Sequence, residues 1–85
     1  MLEQVELEQM VANIFKDALH LVPPSHDTDL FKSGGLDSLL LVDLLMKLEH
    51  TFKIRIPLEE LELDHFRSIA SIAAFLGVCL QQKRL

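Results

Sequence analysis

The sequence is poor in cysteine, lacks tryptophan and tyrosine, and has no long apolar run. A single cysteine, Cys79, excludes an internal disulfide and any cysteine-rich metal site. Tryptophan and tyrosine are absent, so leucine, isoleucine, valine and phenylalanine must fill the core. No apolar run reaches the roughly 20 residues that a membrane-spanning helix needs, because Ser71 and Gly77 interrupt the long apolar stretch at residues 69–80. These absences are typical of a small globular protein without a transmembrane helix.

Positive charge is also scarce. The net charge of −5 resides entirely in residues 1–37, since residues 38–85 carry equal numbers of acidic and basic side chains. Binding to a nucleic-acid backbone requires a basic stripe, often with interleaved aromatic side chains, and the sequence has neither. Glutamates 3, 6 and 8 stand where a secretory signal would carry positive charge. We therefore expect no nucleic-acid partner and a cytoplasmic location.

Apolar periodicity predicts helices and no substantial strand. The 85 residues allow one domain, residues 1–85, and we expect an all-α fold, a small four-helix bundle of three main helices and one short one. The predicted helices cover residues 2–21, 38–53, about 57–63 and 69–80. Leu30 and Phe31 are expected to pin the long loop between the first two helices to the core. The end of the chain, about residues 81–85, is a basic tail for which disorder is an open alternative.

The second predicted helix has more apolar surface than one core-facing stripe uses. At 100° per residue, a single arc of about 100° is wide enough to face the core. The apolar side chains on that arc are Leu41, Leu44, Leu45, Leu48 and Phe52. A second arc begins near Ser38 and has Asp43 and Glu49 at its edges. Its apolar side chains are Leu39, Val42 and Met46. Two interpretations are open: a thin bundle buries this second arc too, or the arc is an exposed strip to which partners dock.

Ser38 opens the same helix behind a Gly-Gly-Leu-Asp sequence. Its hydroxyl would project from a helix N-terminus, where unpaired N–H groups and the helix dipole favour an attached or bound phosphate. The alternative is an ordinary capping serine, the commoner use of that residue there, and Asp37 could also supply the cap. A catalytic serine is a weaker interpretation than either, because the elbow that exposes such a serine needs glycine where Leu36 and Leu40 stand. The histidines lack metal-site spacing, so we expect no catalytic group and no metal site.

One extended pattern is centred on Ser38. Leu-Asp-Ser-Leu opens an apolar helix that ends in Glu-x-x-Phe-x-Ile-x-Ile-Pro, and Asp-Leu-Phe precedes it at residues 29–31. Over nearly the whole chain, this pattern resembles the acyl carrier protein superfamily, which includes peptidyl and aminoacyl carrier proteins. The resemblance implies that Ser38, next to Asp37 of the motif, carries 4′-phosphopantetheine derived from coenzyme A as a phosphodiester. It also implies that acyl or aminoacyl groups are carried as thioesters on the thiol of that arm.

The resemblance further implies a docking role for the residues that follow the serine. It favours Leu39, Val42 and Met46, together with Asp43 and Glu49, as a docking surface for partner enzymes. The implied partners are a phosphopantetheinyl transferase, a ligase that loads acyl or aminoacyl groups, and downstream transferases or synthases. A carrier of this kind is not an enzyme, and we expect a monomer.

The second helix departs from that of fatty-acid synthase carriers, which resemble one another in a strongly acidic second helix. Residues 38–53 have no net charge, Leu40 occupies a commonly acidic position, and His50 and Thr51 stand where glutamate is common. The Phe-Arg-Ser sequence before the last helix looks like that of free-standing aminoacyl carriers. We therefore expect a discrete carrier of a dedicated acyl or aminoacyl pathway. A general fatty-acid carrier is the first alternative, and a non-carrier helical interaction module is an alternative of a different class.

Overall fold

Three α-helices and a short 3₁₀ helix make up the fold. The computed structural model describes residues 3–32, 35–56 and 62–83. In chain order the elements are α1 (Gln4–Ala18), α2 (Ser38–Phe52), a 3₁₀ helix (Leu63–Phe66) and α3 (Ile69–Lys83). No strand occurs within the described ranges. The predicted all-α fold, a small bundle with three main helices, is confirmed.

α1 forms because its apolar residues recur at helical spacing along one side. The buried side chains of that side are Leu7, Val11 and Phe15. The helix ends at Ala18, before the predicted end at Leu21. His20 adopts a left-handed φ of 57°, and the Leu21 N–H donates to the Phe15 carbonyl at 2.9 Å. The chain therefore turns at His20, and the helix does not reach Leu21.

α2 buries the arc that was predicted to face the core. The buried side chains are Leu41, Leu44, Leu45, Leu48 and Phe52. The helix ends at Phe52, because Lys53 adopts a left-handed φ of 55° and its N–H donates to the Glu49 carbonyl. The core interpretation of this arc is confirmed.

α3 begins with a reciprocal serine cap. The Ser71 N–H donates to the Ser68 hydroxyl oxygen at 3.1 Å, and the Ser68 N–H donates to the Ser71 hydroxyl oxygen at 3.0 Å. This arrangement is a capping box with serine in the place of the usual glutamate. The buried side chains of α3 belong to the same core as those of α1, and they are Ile69, Ile72, Ala73 and Leu76. Ser68 is therefore the residue that caps the start of α3.

Two predicted segments lie partly outside the described residues. A short helix was expected at about residues 57–63, and residues 57–61 of it lie outside the described ranges. The observed 3₁₀ helix begins at Leu63, the residue at which the short helix was expected to end. α3 continues to Lys83, so only residues 84–85 of the predicted tail lie outside the described ranges. None of the helices in these ranges has both the length and the apolar character needed to cross a membrane.

The long loop between α1 and α2 is attached to the core near its middle, as predicted. Leu30 is buried and Phe31 packs against the core. The Leu30 N–H donates to the Arg67 carbonyl at 2.7 Å, and the Ala70 N–H donates to the His26 carbonyl at 3.0 Å. These bonds fix the loop to the start of α3, and the loop in turn sets the position from which α2 begins.

Candidate functional site

The start of α2 is capped by Asp37. Its carboxylate oxygen Oδ1 accepts a hydrogen bond from the Leu40 N–H at 2.9 Å, and its backbone carbonyl accepts from the Leu41 N–H at 2.8 Å. The residue has an extended backbone, with φ −128° and ψ −175°, as expected of a capping residue. Sequence reasoning left Asp37 and Ser38 as alternative caps, and the geometry assigns the cap to Asp37.

Ser38 is consequently free of a capping role. It is the first residue of α2, it is exposed, and no hydrogen bond to its hydroxyl occurs within the described ranges. The first-turn amides and the helix dipole place positive electrostatic potential at this position. A phosphodiester on the Ser38 oxygen would therefore carry its negative charge where the helix stabilises it, and no hydrogen bond between the hydroxyl and a described residue would have to break. The site fits a covalently attached phosphopantetheine group.

The segment before Ser38 is held by a turn that sequence reasoning did not identify. Asp29 Oδ1 accepts hydrogen bonds from the Phe31 N–H at 3.1 Å and the Lys32 N–H at 2.9 Å. The other carboxylate oxygen of Asp29 lies 3.9 Å from Nε of Arg67. Further along, the Leu36 N–H donates to the carbonyl of buried Leu30 at 3.1 Å. Aspartate side chains commonly accept a hydrogen bond from the backbone N–H two residues further on, so an aspartate in this loop is a recognisable sign of such a turn. Its link to Arg67 depends on the packing of distant segments.

The second apolar arc of α2 lies on the surface. Leu39, Val42 and Met46 are 83%, 56% and 61% exposed, in contrast to the buried leucines on the other arc. We call these three residues the α2 strip. The interpretation that a thin bundle buries this arc is wrong. Exposure leaves the strip available to a partner, and the docking role itself stays a prediction.

The two acidic residues at the edges of the strip have different surroundings. Glu49 is half-buried, and its Oε2 accepts a hydrogen bond from the Ile56 N–H at 2.7 Å. Its backbone carbonyl also accepts from the Ile54 N–H at 3.2 Å. Glu49 therefore attaches the segment after α2 to the helix, a structural role that the sequence did not indicate. Asp43 is half-buried, and its carboxylate makes no hydrogen bond or ion pair within the described ranges.

Glu8 and His26 connect α1 to the long loop. His26 Nδ1 lies 2.8 Å from Glu8 Oε1, and the Gln4 amide donates to Glu8 Oε2 at 2.9 Å. The hydrogen bond from Gln4 and the contact with His26 lower the pKa of Glu8 below its ordinary value. The Gln4 amide also lies 3.0 Å from the Ala70 carbonyl, so the cluster reaches α3. This cluster supports the fold, and it involves neither Ser38 nor the α2 strip.

No metal-binding constellation exists among the described residues. Within them, no three histidine, cysteine, aspartate or glutamate side chains come close enough to hold an ion. His65 stacks on Phe75 with ring centroids 4.6 Å apart, and Cys79 is half-buried. The chemistry that the site offers is therefore that of an exposed serine hydroxyl beside an exposed apolar strip.

Comparisons with known proteins cover most of the chain. Residues 9–76 match the family described as a phosphopantetheine attachment site. The chain is 37% identical over 70 residues to D-alanyl carrier proteins of Streptococcus pyogenes serotype M5 (strain Manfredo), serotype M49 (strain NZ131) and serotype M1. Each alignment covers 80% of this chain and 87% of the relative. The family match includes the Asp37 cap, Ser38 and the whole α2 strip.

Proposed function

The chain belongs to the phosphopantetheine attachment-site family of carrier proteins and bears covalent 4′-phosphopantetheine, and we propose that Ser38 is the residue to which this arm is attached. One observation carries the assignment. The Ser38 hydroxyl is exposed at the N-terminus of α2, while Asp37 satisfies the cap. Other serine hydroxyls in the described ranges already make hydrogen bonds. The Ser68 hydroxyl caps α3, and the Ser25 hydroxyl contacts Thr28.

The attachment reaction requires little of the carrier itself. A phosphopantetheinyl transferase brings the phosphoanhydride of coenzyme A to the Ser38 oxygen. The bond from that oxygen to phosphorus forms, the anhydride P–O bond breaks, the serine proton is removed, and adenosine 3′,5′-bisphosphate leaves. The carrier contributes an unhindered hydroxyl and the favourable potential of the α2 N-terminus. No catalytic group of its own is needed, so we propose that the chain is not an enzyme.

We propose an aminoacyl cargo, with D-alanine as the candidate that the names of the relatives suggest. The absence of net charge over residues 38–53 supports a partner set other than that of acidic fatty-acid carriers. The chain would then act as a discrete carrier in a dedicated pathway. A general fatty-acid carrier and a non-carrier interaction module are the alternatives that the experiments below separate.

We also propose that the α2 strip, with Asp43 and Glu49 at its edges, is the docking surface for the transferase, the loading ligase and the enzyme that receives the cargo. Three neighbouring exposed apolar side chains beside the attachment point form a small contact of the kind that favours rapid release. Because the cargo is tethered, weak docking is sufficient for delivery. A cytoplasmic monomer is the simplest form of such a carrier, and both properties belong to the proposal.

The first experiment is intact-mass measurement after incubation with coenzyme A and a broad-specificity phosphopantetheinyl transferase. We expect one phosphopantetheine increment on the native chain and none on Ser38→Ala. Trypsin leaves Ser33 and Ser38 on one peptide, so fragmentation of that peptide has to locate the group. A group on Ser33 or Ser68 would contradict the assignment, and an unmodified native chain would favour the interaction module.

The second experiment offers the modified protein to ligases of two classes. We expect a ligase that activates D-alanine to load it and an acyl ligase specific for long fatty acids to fail. Ser38→Ala serves as the control, because direct acylation of another side chain would persist in it. Loading by the fatty-acid enzyme alone would favour the general fatty-acid carrier.

A further inference from the structure

A small apolar cleft lies in the loop that precedes α2. Its volume is about 190 Å³. Its walls are formed by Leu21, Val22, Pro23, Pro24, Leu30 and Gly35. None of these residues has a charged or hydrogen-bonding side chain. The cleft therefore suits an uncharged, branched aliphatic group and offers nothing to an ion or a sugar.

The cleft is held in shape before anything enters it. Leu30, one of its walls, is buried and donates its N–H to the Arg67 carbonyl at 2.7 Å. The Leu36 N–H donates to the Leu30 carbonyl at 3.1 Å, which ties the segment leading to Ser38 to the same wall. The two proline rings lose almost no rotamer entropy on contact with a ligand. Little ordering cost therefore opposes a weak apolar contact here.

The position and the size of the cleft favour a tethered occupant. Gly35 precedes Ser38 by three residues in the chain, so their Cα atoms lie within about 11 Å of each other. A group attached to Ser38 is present at the cleft at a high effective concentration. The cleft is smaller than the roughly 300–1,000 Å³ of sites for free small molecules. Val22 is 76% exposed, which leaves apolar surface for such a group to cover.

We propose that this cleft holds the pantoyl segment of the phosphopantetheine arm, the branched, dimethyl-bearing part next to the phosphodiester. The inference rests on attachment at Ser38. Holding only the segment nearest to Ser38 restricts the directions in which the arm extends. The thiol end stays free to enter the active sites of partner enzymes.

A larger cleft, of about 300 Å³, lies between α1 and α2 and is less suited to this segment. Its lining includes the charged residues Asp17 and Lys47. Lys47 is also about 14 Å along the α2 axis from Ser38. This cleft gives the experiment an internal comparison.

The test is NMR on the modified protein, prepared with isotope label in the protein only. We expect nuclear Overhauser effects between the arm's dimethyl protons and the methyl groups of Val22 and Leu30. Val22→Asn should abolish them. Val5→Asn is the matched control, because Val5 is also 76% exposed and lines neither cleft. That variant should retain the effects, and melting curves should show both variants folded.

The outcomes separate this inference from the proposed function. If mass spectrometry places no arm on Ser38, the proposed function fails. If the arm is on Ser38 but its dimethyl protons contact no cleft residue, or contact Met10 and Ile14 instead, the inference alone is overturned. Effects that disappear on dilution would show that the arm of a second copy enters the cleft, which also overturns the inference. Nuclear Overhauser effects that persist in Val22→Asn would likewise overturn the inference.

Discussion

The two apolar arcs of α2 have similar composition and opposite surroundings. Leu44 and Leu48 have no exposed surface, whereas Leu39 is 83% exposed on the same helix. Hydrophobicity alone does not distinguish them, because leucine occupies both arcs. The difference lies in which arc packs into the hydrophobic core that the helices share. One arc stabilises the fold, and the other is left open beside Ser38, where a carrier needs a contact surface. Substitutions on the two arcs should therefore have opposite consequences for stability and for docking.

The largest effect is expected from the buried arc. Leu48→Ala and Phe52→Ala should each destabilise the protein by about 2–5 kcal/mol, because they leave cavities in the core. For a domain of this size, a melting temperature lowered by about 10 °C or more follows. Thermal unfolding monitored by circular dichroism measures it. Unchanged melting in either variant would contradict the assignment of this arc to the core.

The cap comes next. Asp37→Ala removes the acceptor for the Leu40 N–H and should cost about 0.5–2 kcal/mol of stability. Ser38→Ala should leave stability nearly unchanged, since no described residue makes a hydrogen bond to its hydroxyl. Urea unfolding of the two variants side by side measures the difference. Equal losses would show that the two residues share the cap, and a larger loss in Ser38→Ala would reverse the assignment.

A smaller, pH-dependent effect is expected at Glu8, whose carboxylate contacts His26 of the long loop. The pKa of Glu8 is lower in the folded than in the unfolded state, so ionised Glu8 stabilises the fold at neutral pH. This stabilisation is lost as the pH falls below the ordinary value of 4.5 and through the lowered pKa of the folded state.

Glu8→Gln should therefore be less stable than the native chain at pH 7, and the difference should shrink as the solution is acidified through this window. Urea unfolding at a series of pH values measures it. Glu6→Gln is the control, because Glu6 is an exposed acid of the same helix without the His26 contact. A difference between Glu8→Gln and the native chain that is constant with pH would contradict the ionic origin of the effect.

The smallest effect on stability is expected from the α2 strip. Val42→Asp and Met46→Gln should each change the free energy of unfolding by no more than about 0.5 kcal/mol, as exposed substitutions usually do. Both should slow loading by the cognate ligase. Because residues 38–53 have no net charge, the loading rate of the native chain should depend only weakly on salt.

Thr51→Gln is the matched control for Met46→Gln, since it places the same side chain on another exposed face of α2. It should load at the native rate. Melting temperature and loading rate at low and high ionic strength are the measurements. A marked loss of stability would mean that the strip is core, and a steep salt dependence would show that Asp43 and Glu49 dominate docking.

Much of the site could be predicted from the sequence because the relevant rules are local. The position of the buried arc and of the exposed strip follows from the 100° rotation per residue, which the backbone imposes on any helix. The choice between Asp37 and Ser38 as cap could not be predicted. Both residues are good caps, and the decision depends on which one adopts the extended backbone where the loop arrives.

The sequence by itself determined the three main helices, the two arcs of α2, the location of the negative charge and the serine that follows a Gly-Gly-Leu-Asp sequence at the start of α2. These properties depend on residue types within one or two turns of each other. Only the tertiary structure decided that Glu49 holds Ile56, that Glu8 meets His26 and that the loop closes an apolar cleft near Ser38. Each of those contacts joins residues that are not neighbours in the chain. The distance between such residues in space depends on the path of the connecting segments and on how the helices pack, and residue types alone do not fix either.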